Sequence, residues 1–461
     1  MSLSTKKIGA NFLTILVATG SINAGCSKKK ETKEPTVAYI QQIKAIVDQK
    51  CVACHKSGGI GGFALETYEQ VVNHGSQSLS AIESRRMPPW AAERSCRDYR
   101  GDYSLTDDEK NMFRSWVETN MVESLPESTG YLPPPLEKLA LTRVDLTLQN
   151  PEPYQPQPKP DETRCFVIDW PFKSKKYITG IDVVPTDTAL VHHSSIYIVP
   201  AEDREFYQNL DAKTGRKGDG YPCSATMGVG KPTARWIGGW LPGLTSFEYP
   251  LEAGMAVEAE SLVILQVHYN VPNHSHNLHS PNPPKPDQTK ILFKIEDNVK
   301  LLGTLVTFTN PKWMVELEMD IPAGQKNVGH EFAGRLDLIP SLIGQKFPLQ
   351  GDSFEIQSIN MHGHALMSAA KMKIIREDNS EECLLDVPKF QSHWQLNYLF
   401  SKPARVKKTD KVFLRCEWDN SPENQTIVDG QRLPSINVNW GDAARDEMCF
   451  GLMFVTEKSN D

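Results

Sequence analysis

Leu262-Val263-Ile264-Leu265-Gln266-Val267-His268-Tyr269 is the stretch that decides the fold. Its run of apolar and β-branched residues, too short for a typical helix, reads as a buried strand. Successive side chains on a strand alternate, so Gln266 and His268 share one face while Val263, Leu265 and Val267 take the other. Runs of similar texture recur at 177–184, 195–200, 301–308, 354–375, 411–418 and 447–456, cut by Gly, Pro and Asn turns. Few helical patterns intervene after Cys165, so the expectation is a pair of antiparallel β-sandwiches, residues 163–290 and 291–461. The loop 272–290, with His274, His276 and His279, is expected to close the first of them.

The chain before Cys165 has a different texture. Residues 37–125 open on the helical spacing Ile40, Ile43, Ile46, Val47. They close on another, where Thr106 and Glu109 form a capping box ahead of Met112, Phe113, Trp116 and Val117. A small all-α unit is therefore expected, followed by a proline-rich linker over 126–162. With 461 residues the chain has room for about three domains. Its net charge of −7 gives no electrostatic reason to expect nucleic acid.

The first 26 residues read as a secretory signal: Lys6 and Lys7, an apolar run over 8–18, then small residues. Ile22-Asn23-Ala24-Gly25-Cys26 resembles a bacterial lipobox, which implies acylation of Cys26 and a lipid anchor to the membrane. Asn23 departs from the usual small or aliphatic residue, which leaves cleavage by the ordinary signal peptidase as the alternative. Residues 27–36 are a polar, Lys-rich tether. Export to a periplasmic or cell-surface location means an oxidising setting for the remaining cysteines.

Cys51-Val52-Ala53-Cys54-His55 is the signature of c-type haem attachment, two thiols for the vinyl groups and an imidazole for the iron. A redox dithiol or a zinc half-site is the competing reading, but no second CxxC or His pair follows at zinc spacing. Met87-Pro88-Pro89-Trp90 resembles the axial-methionine loop of small cytochromes c. One haem c is thus expected, with His55 and Met87 as axial ligands and His74 as the competing sixth ligand.

Three histidine groups lie in the β-rich part: His192-His193, His268 and His362-Gly363-His364. On a strand, the last pair falls on one face, with a glycine that lets a metal approach closely. Adjacent His192 and His193 need a bulge or strand end to face one ion. All-nitrogen sites suit copper and zinc alike; Met448, a soft thioether, tips the balance to copper.

The order HH, QVHY, HxH and DEMC over these residues resembles the copper type II, ascorbate-dependent monooxygenases, which include the peptidylglycine and dopamine β-hydroxylating enzymes. The resemblance implies two jelly-roll-like copper domains facing each other across an open cleft, and two coppers per chain. His192, His193 and His268 would hold the electron-transfer copper; His362, His364 and Met448 would hold the copper that takes O2. It further implies a disulfide between Cys416 and Cys449. Cys96, Cys165, Cys223 and Cys383 remain, with three possible pairings.

In the peptide-amidating members an arginine precedes HxH by two residues and a tyrosine follows the methionine by four. Asn360 and Leu452 stand there in this chain. The expected substrate is therefore a small molecule or peptide-like compound other than a glycine-extended peptide. On a regular strand Phe450 and Leu452 would share the face of Met448. The expected function is hydroxylation of a C–H bond with O2, with electrons from an ascorbate-like reductant or redox protein. They would pass through the haem and then the copper at His192/His193/His268. The alternative is a non-catalytic electron-transfer or copper-binding protein.

Overall fold

The computed structural model describes residues 34–457 except 58–60, 128, 138, 157–161, 188–189, 215–217, 224–228, 232, 241–246, 250–252, 270–285, 393, 429, 442 and 444. The signal segment with Cys26, and the expected loop histidines His274, His276 and His279, lie outside the described residues. No helix among the described residues is long and apolar enough to cross a membrane.

The N-terminal region is helical. A turn of π-helix, Tyr39–Ile43, runs into α1 (Lys44–Lys50), followed by α2 (Tyr68–Glu83) and α3 (Asp107–Glu118). Ile43, Ile46 and Val47 bury against Val71, Ile82, Phe113 and Trp116, while Ile40 points to solvent. The capping box expected at Thr106 and Glu109 is formed. Glu109 also holds a buried ion pair with Lys50 at 2.7 Å, which fixes the end of α1 against the start of α3. A second capping box, Thr67 with Gln70, starts α2.

Two β-sandwiches follow. The first contains β1 (Leu146–Gln149), β2 (Glu162–Asp169), β3 (Lys176–Val184), β4 (Val191–Val199), β5 (Arg235–Trp240), β6 (Ala253–Val257), β7 (Leu262–Tyr269) and β8 (Lys290–Glu296). One layer runs β1-β8-β3-β6 and the other β2-β7-β4-β5. Their inner faces, including Val263, Leu265 and Val267 of β7, form one apolar cluster. The other face of β7 is also covered: Leu262 and Ile264 pack with Tyr207 and the Cys165–Cys223 disulfide. The stretch 126–162, expected as a linker, thus contains a strand of this sandwich.

The second sandwich contains β9 (Leu301–Phe308), β10 (Val328–Gly334), β11 (Ser353–His362), β12 (Met367–Ile375), β13 (Glu381–Val387), β14 (Tyr398–Lys407), β15 (Lys411–Trp418) and β16 (Phe450–Glu457). Its layers run β9-β16-β11-β14 and β10-β15-β12-β13. A short parallel contact, Leu301 and Leu302 against Ala253 and Gly254, joins β9 to β6, so one sheet is continuous through both sandwiches. The single run expected over 354–375 is two strands in different layers. The chain crosses from one to the other at residues 363–366.

The helical region is fastened to the second sandwich. Cys96 is bonded to Cys383. Arg100 N donates to Leu399 O at 2.8 Å and Ser401 N to Asp98 O at 3.1 Å, so residues 98–100 cover the exposed edge of β14. Ala92 and Tyr99 enter the apolar cluster of that sandwich, with Trp90 and Tyr103 packed against it.

Candidate metal centres

The corner after β11 brings together three of the expected ligands. His362 ends the strand and His364 lies beyond it, so the two rings do not share a strand face; their planes stand at 89°, with centroids 5.4 Å apart. His362 Nε2 is buried with no protein partner. Burial, then the neighbouring His364 ring, push its pKa down to about 3, which keeps the imidazole neutral and its lone pair available. His364 Nδ1 meets the Asp446 carbonyl at 2.7 Å, which leaves Nε2 as the nitrogen for a metal.

Gly363 has a different purpose from the one its position suggests. A Cβ there would fall 2.0 Å from Met367 Cε and 3.1 Å from the Met448 carbonyl. The glycine lets β12 and the Met448 segment close on the corner.

Met448 is 4% exposed and precedes β16 instead of lying on it. The regular-strand relation to Phe450 and Leu452 therefore fails. Phe450 stacks on the His362 ring, centroids 4.6 Å apart, and Leu452 sits opposite Asn360 in the ladder. Around Met448 every neighbour is tied down. Cys449 is bonded to Cys416 in β15, and its carbonyl accepts from Thr309 Oγ1 at 2.8 Å. Glu447, fully buried, accepts from His364 N (2.9 Å), Leu366 N (2.6 Å) and Trp418 Nε1 (3.0 Å). Burial raises the pKa of this carboxyl, opposed by the His364 ring and the donors around it. Glu447 stands inside the DEMC motif, and its role was not among the expectations from sequence, although a carboxylate beside a soft ligand is a signal for it.

In the first sandwich His193 and His268 are ladder partners on β4 and β7, with Nδ1 atoms 3.3 Å apart and ring centroids at 4.7 Å. As neutral rings one nitrogen must donate and the other accept; a metal ion would take both lone pairs. The ladder skips one residue between Val191 and His193, which places a bulge at His192. The side chain of His192 is outside the described residues. Among the described residues no three His, Cys, Asp or Glu side chains converge. The two groups are instead imidazole pairs, His362 with His364 and His193 with His268, the first with the Met448 backbone against its corner.

Residues 146–276 match the N-terminal domain of the copper type II ascorbate-dependent monooxygenases, and residues 314–458 match the C-terminal domain. The chain belongs to that family. Copper is the metal the family implies, with O2 and an ascorbate-like reductant as co-reactants, and the protein is an oxidoreductase. No curated relative matches the chain. Three disulfides suit an exported protein. The donor set of this monooxygenase fits copper: imidazole nitrogens, one of them buried without a protein partner, and a buried thioether.

Cys51 and Cys54 stand apart, being free while the other six described cysteines are paired. His55 is 9% exposed, and its Nδ1 lies 3.2 Å from the Phe63 carbonyl, leaving Nε2 for another partner. Phe63 packs on His55 at 4.5 Å and stacks on His74 at 4.0 Å, which sets His74 on the far side of the Phe63 ring. His74 is half-buried within α2, and the helix continues through the Gly/Ser stretch that follows it. Met87 lines a separate cavity of about 400 Å³ with Trp90, Leu105 and Arg94.

Proposed function

We propose that this monooxygenase inserts one oxygen atom of O2 into a C–H bond of an organic substrate: R–H, O2, two electrons and two protons give R–OH and water. His362, His364 and Met448 would hold the copper of the reacting site, and His192, His193 and His268 a second copper. Bound copper supplies one-electron chemistry and the affinity for O2. The observation that carries the reading is Met448, a soft donor whose neighbours Glu447 and Cys449 are both tied down and whose carbonyl lies against Gly363, between the two histidines. The chain's own part is positioning: Asp446 orients one ring, Phe450 covers the other, and Glu447 holds the corner shut.

Asn360 supports a substrate that is not anchored by a carboxylate. Its Nδ2 donates to the carbonyls of Gln395 (2.6 Å) and Leu396 (2.9 Å), and Leu452 lies opposite, so neither side chain offers a free cation or hydroxyl. With copper and an ascorbate-like reductant, candidate uncharged substrates should stimulate O2 uptake, and His362→Ala should reduce uptake to background. Uptake in that variant equal to wild type would refute the assignment.

The free CxxCH pair supports a covalent haem c on Cys51 and Cys54, with His55 and Met87 as the axial pair and the haem as a route for reducing equivalents. Haem should stay on the denatured chain through acidic acetone extraction. Met87→Ala should lower the potential and remove the methionine–iron charge-transfer band; a wild-type protein without that band, whose haem spectrum changes on His74→Ala but not on Met87→Ala, would reassign the sixth ligand to His74. The Cys26 reading adds attachment to a membrane by acylation, which the mass of the mature N-terminal peptide tests.

A further inference from the structure

The sequence suggested that electrons from a haem would pass through the copper at His192/His193/His268. The contacts lead elsewhere. Tyr103 is tied to the Cys51 segment through Lys50, whose Nζ donates to the carbonyl of its neighbour Ser104 at 2.8 Å. Its hydroxyl donates to Pro89 O at 3.2 Å, two residues from Met87, and its ring meets Trp90 edge-on at 5.0 Å. Trp90 in turn meets Tyr398 edge-on at 5.1 Å. Tyr398 pairs with Ile359 in β11, three residues before His362. Gln395, just ahead of Tyr398, donates to Gly363 O at 3.0 Å, between the two histidines.

We propose that this aromatic cluster, centred on Trp90, Tyr103 and Tyr398, is an electron bridge from the Cys51/Cys54/His55 site straight to the His362/His364/Met448 site. The proposal rests on the haem and copper readings above. Electron transfer through protein weakens steeply with distance and with gaps, so a path made only of bonds, hydrogen bonds and packed rings is favoured. The bridge is held in register, because the Cys96–Cys383 bond and the backbone hydrogen bond from Glu93 N to Asp386 O (2.8 Å) clamp it on both sides of Ser95. Among the described residues, none of the helical region enters either apolar cluster of the first sandwich, where His193 and His268 lie. The buried Trp90 Nε1 has no acceptor, a cost that phenylalanine would spare if packing were its whole purpose.

Each transfer oxidises ferrous haem iron to ferric and reduces one Cu(II) to Cu(I), with no proton moved; an external reductant restores the haem. The test uses the full chain loaded with haem and copper, with the haem reduced in the absence of O2. Haem absorbance is followed by stopped flow across a dilution series, and the Cu(II) electron paramagnetic resonance signal is followed in parallel. Haem oxidation should be independent of protein concentration, persist in His268→Ala and be lost in His362→Ala. It should slow in Trp90→Leu and in the milder Tyr103→Phe. Loss in His268→Ala with retention in His362→Ala would overturn the bridge, as would rates unchanged in both ring variants or scaling with concentration. Failure of the haem reading is distinguishable, because haem would then leave the chain in acidic acetone before any kinetics are measured.

Discussion

Glu447→Ala should destabilise the second sandwich more than any other single change at the metal centres. The carboxylate is fully buried and accepts three hydrogen bonds, from His364 N, Leu366 N and Trp418 Nε1. Alanine leaves all three donors without an acceptor, at about 1–3 kcal/mol each. A combined loss of roughly 5 kcal/mol is a large part of a stability of about 5–15 kcal/mol. Thermal unfolding should show the fall, and copper at the His362/His364/Met448 site should fall with it. Glu447→Gln keeps one acceptor oxygen but turns an amide donor toward one of the same groups, so its loss should be smaller. A variant Glu447→Ala with wild-type melting would mean that water replaces the carboxylate at little cost.

Gly363→Ala should disable the same corner by the opposite route, excess volume. The added carbon meets the Met367 side chain at 2.0 Å, a contact that a flexible thioether can relieve by moving. It also meets the Met448 carbonyl at 3.1 Å, and that backbone is pinned by the Cys416–Cys449 bond and by Glu447. Overpacking of this kind costs about 1–3 kcal/mol. The larger effect is geometric, since the Met448 segment must shift away from His362 and His364. Copper binding at that site should weaken well beyond the stability loss, while the His193/His268 pair is unaffected. Unchanged copper affinity would mean that Met367 alone absorbs the strain.

The sandwich pair was legible because its strands are short apolar runs cut by turns, as β7 shows with Val263, Leu265 and Val267 inward and Leu262 and Ile264 covered on the other face. The corner at Gly363 was not. Residues 359–367 hold no proline or Asn-Gly turn signal, and the crossing between layers is set by Glu447, distant in sequence, which takes the amides of His364 and Leu366. Helix α2 was missed for a related reason. Its buried side is mostly small, with Val71, Gly75, Ala81 and Ile82, and Gly75 is there because Met121 Sδ would lie 2.4 Å from a Cβ. The resemblance to the copper monooxygenases supplied the Cys416–Cys449 bond, which is present. The Cys96–Cys383 bond spans 287 residues and depends on how the helical region docks, which no local pattern encodes. For the candidate ligands, spacing paired His362 with His364, and the resemblance to the copper monooxygenases added Met448, whose carbonyl lies against Gly363. The groups that orient them, Asp446, Phe450 and Trp418, act through backbone carbonyls and long-range contacts that spacing does not carry.

The number of coppers bound per chain decides whether the protein holds two metal centres. Metal-free protein is reconstituted with copper and zinc together, freed of loosely bound metal, and analysed for both. The wild type should bind two coppers, His268→Ala one and His362→Ala one, with Met448→Ala losing the same copper as His362→Ala. Preferential zinc, a single copper in the wild type, or two coppers retained in either histidine variant would contradict the assignment of two copper centres.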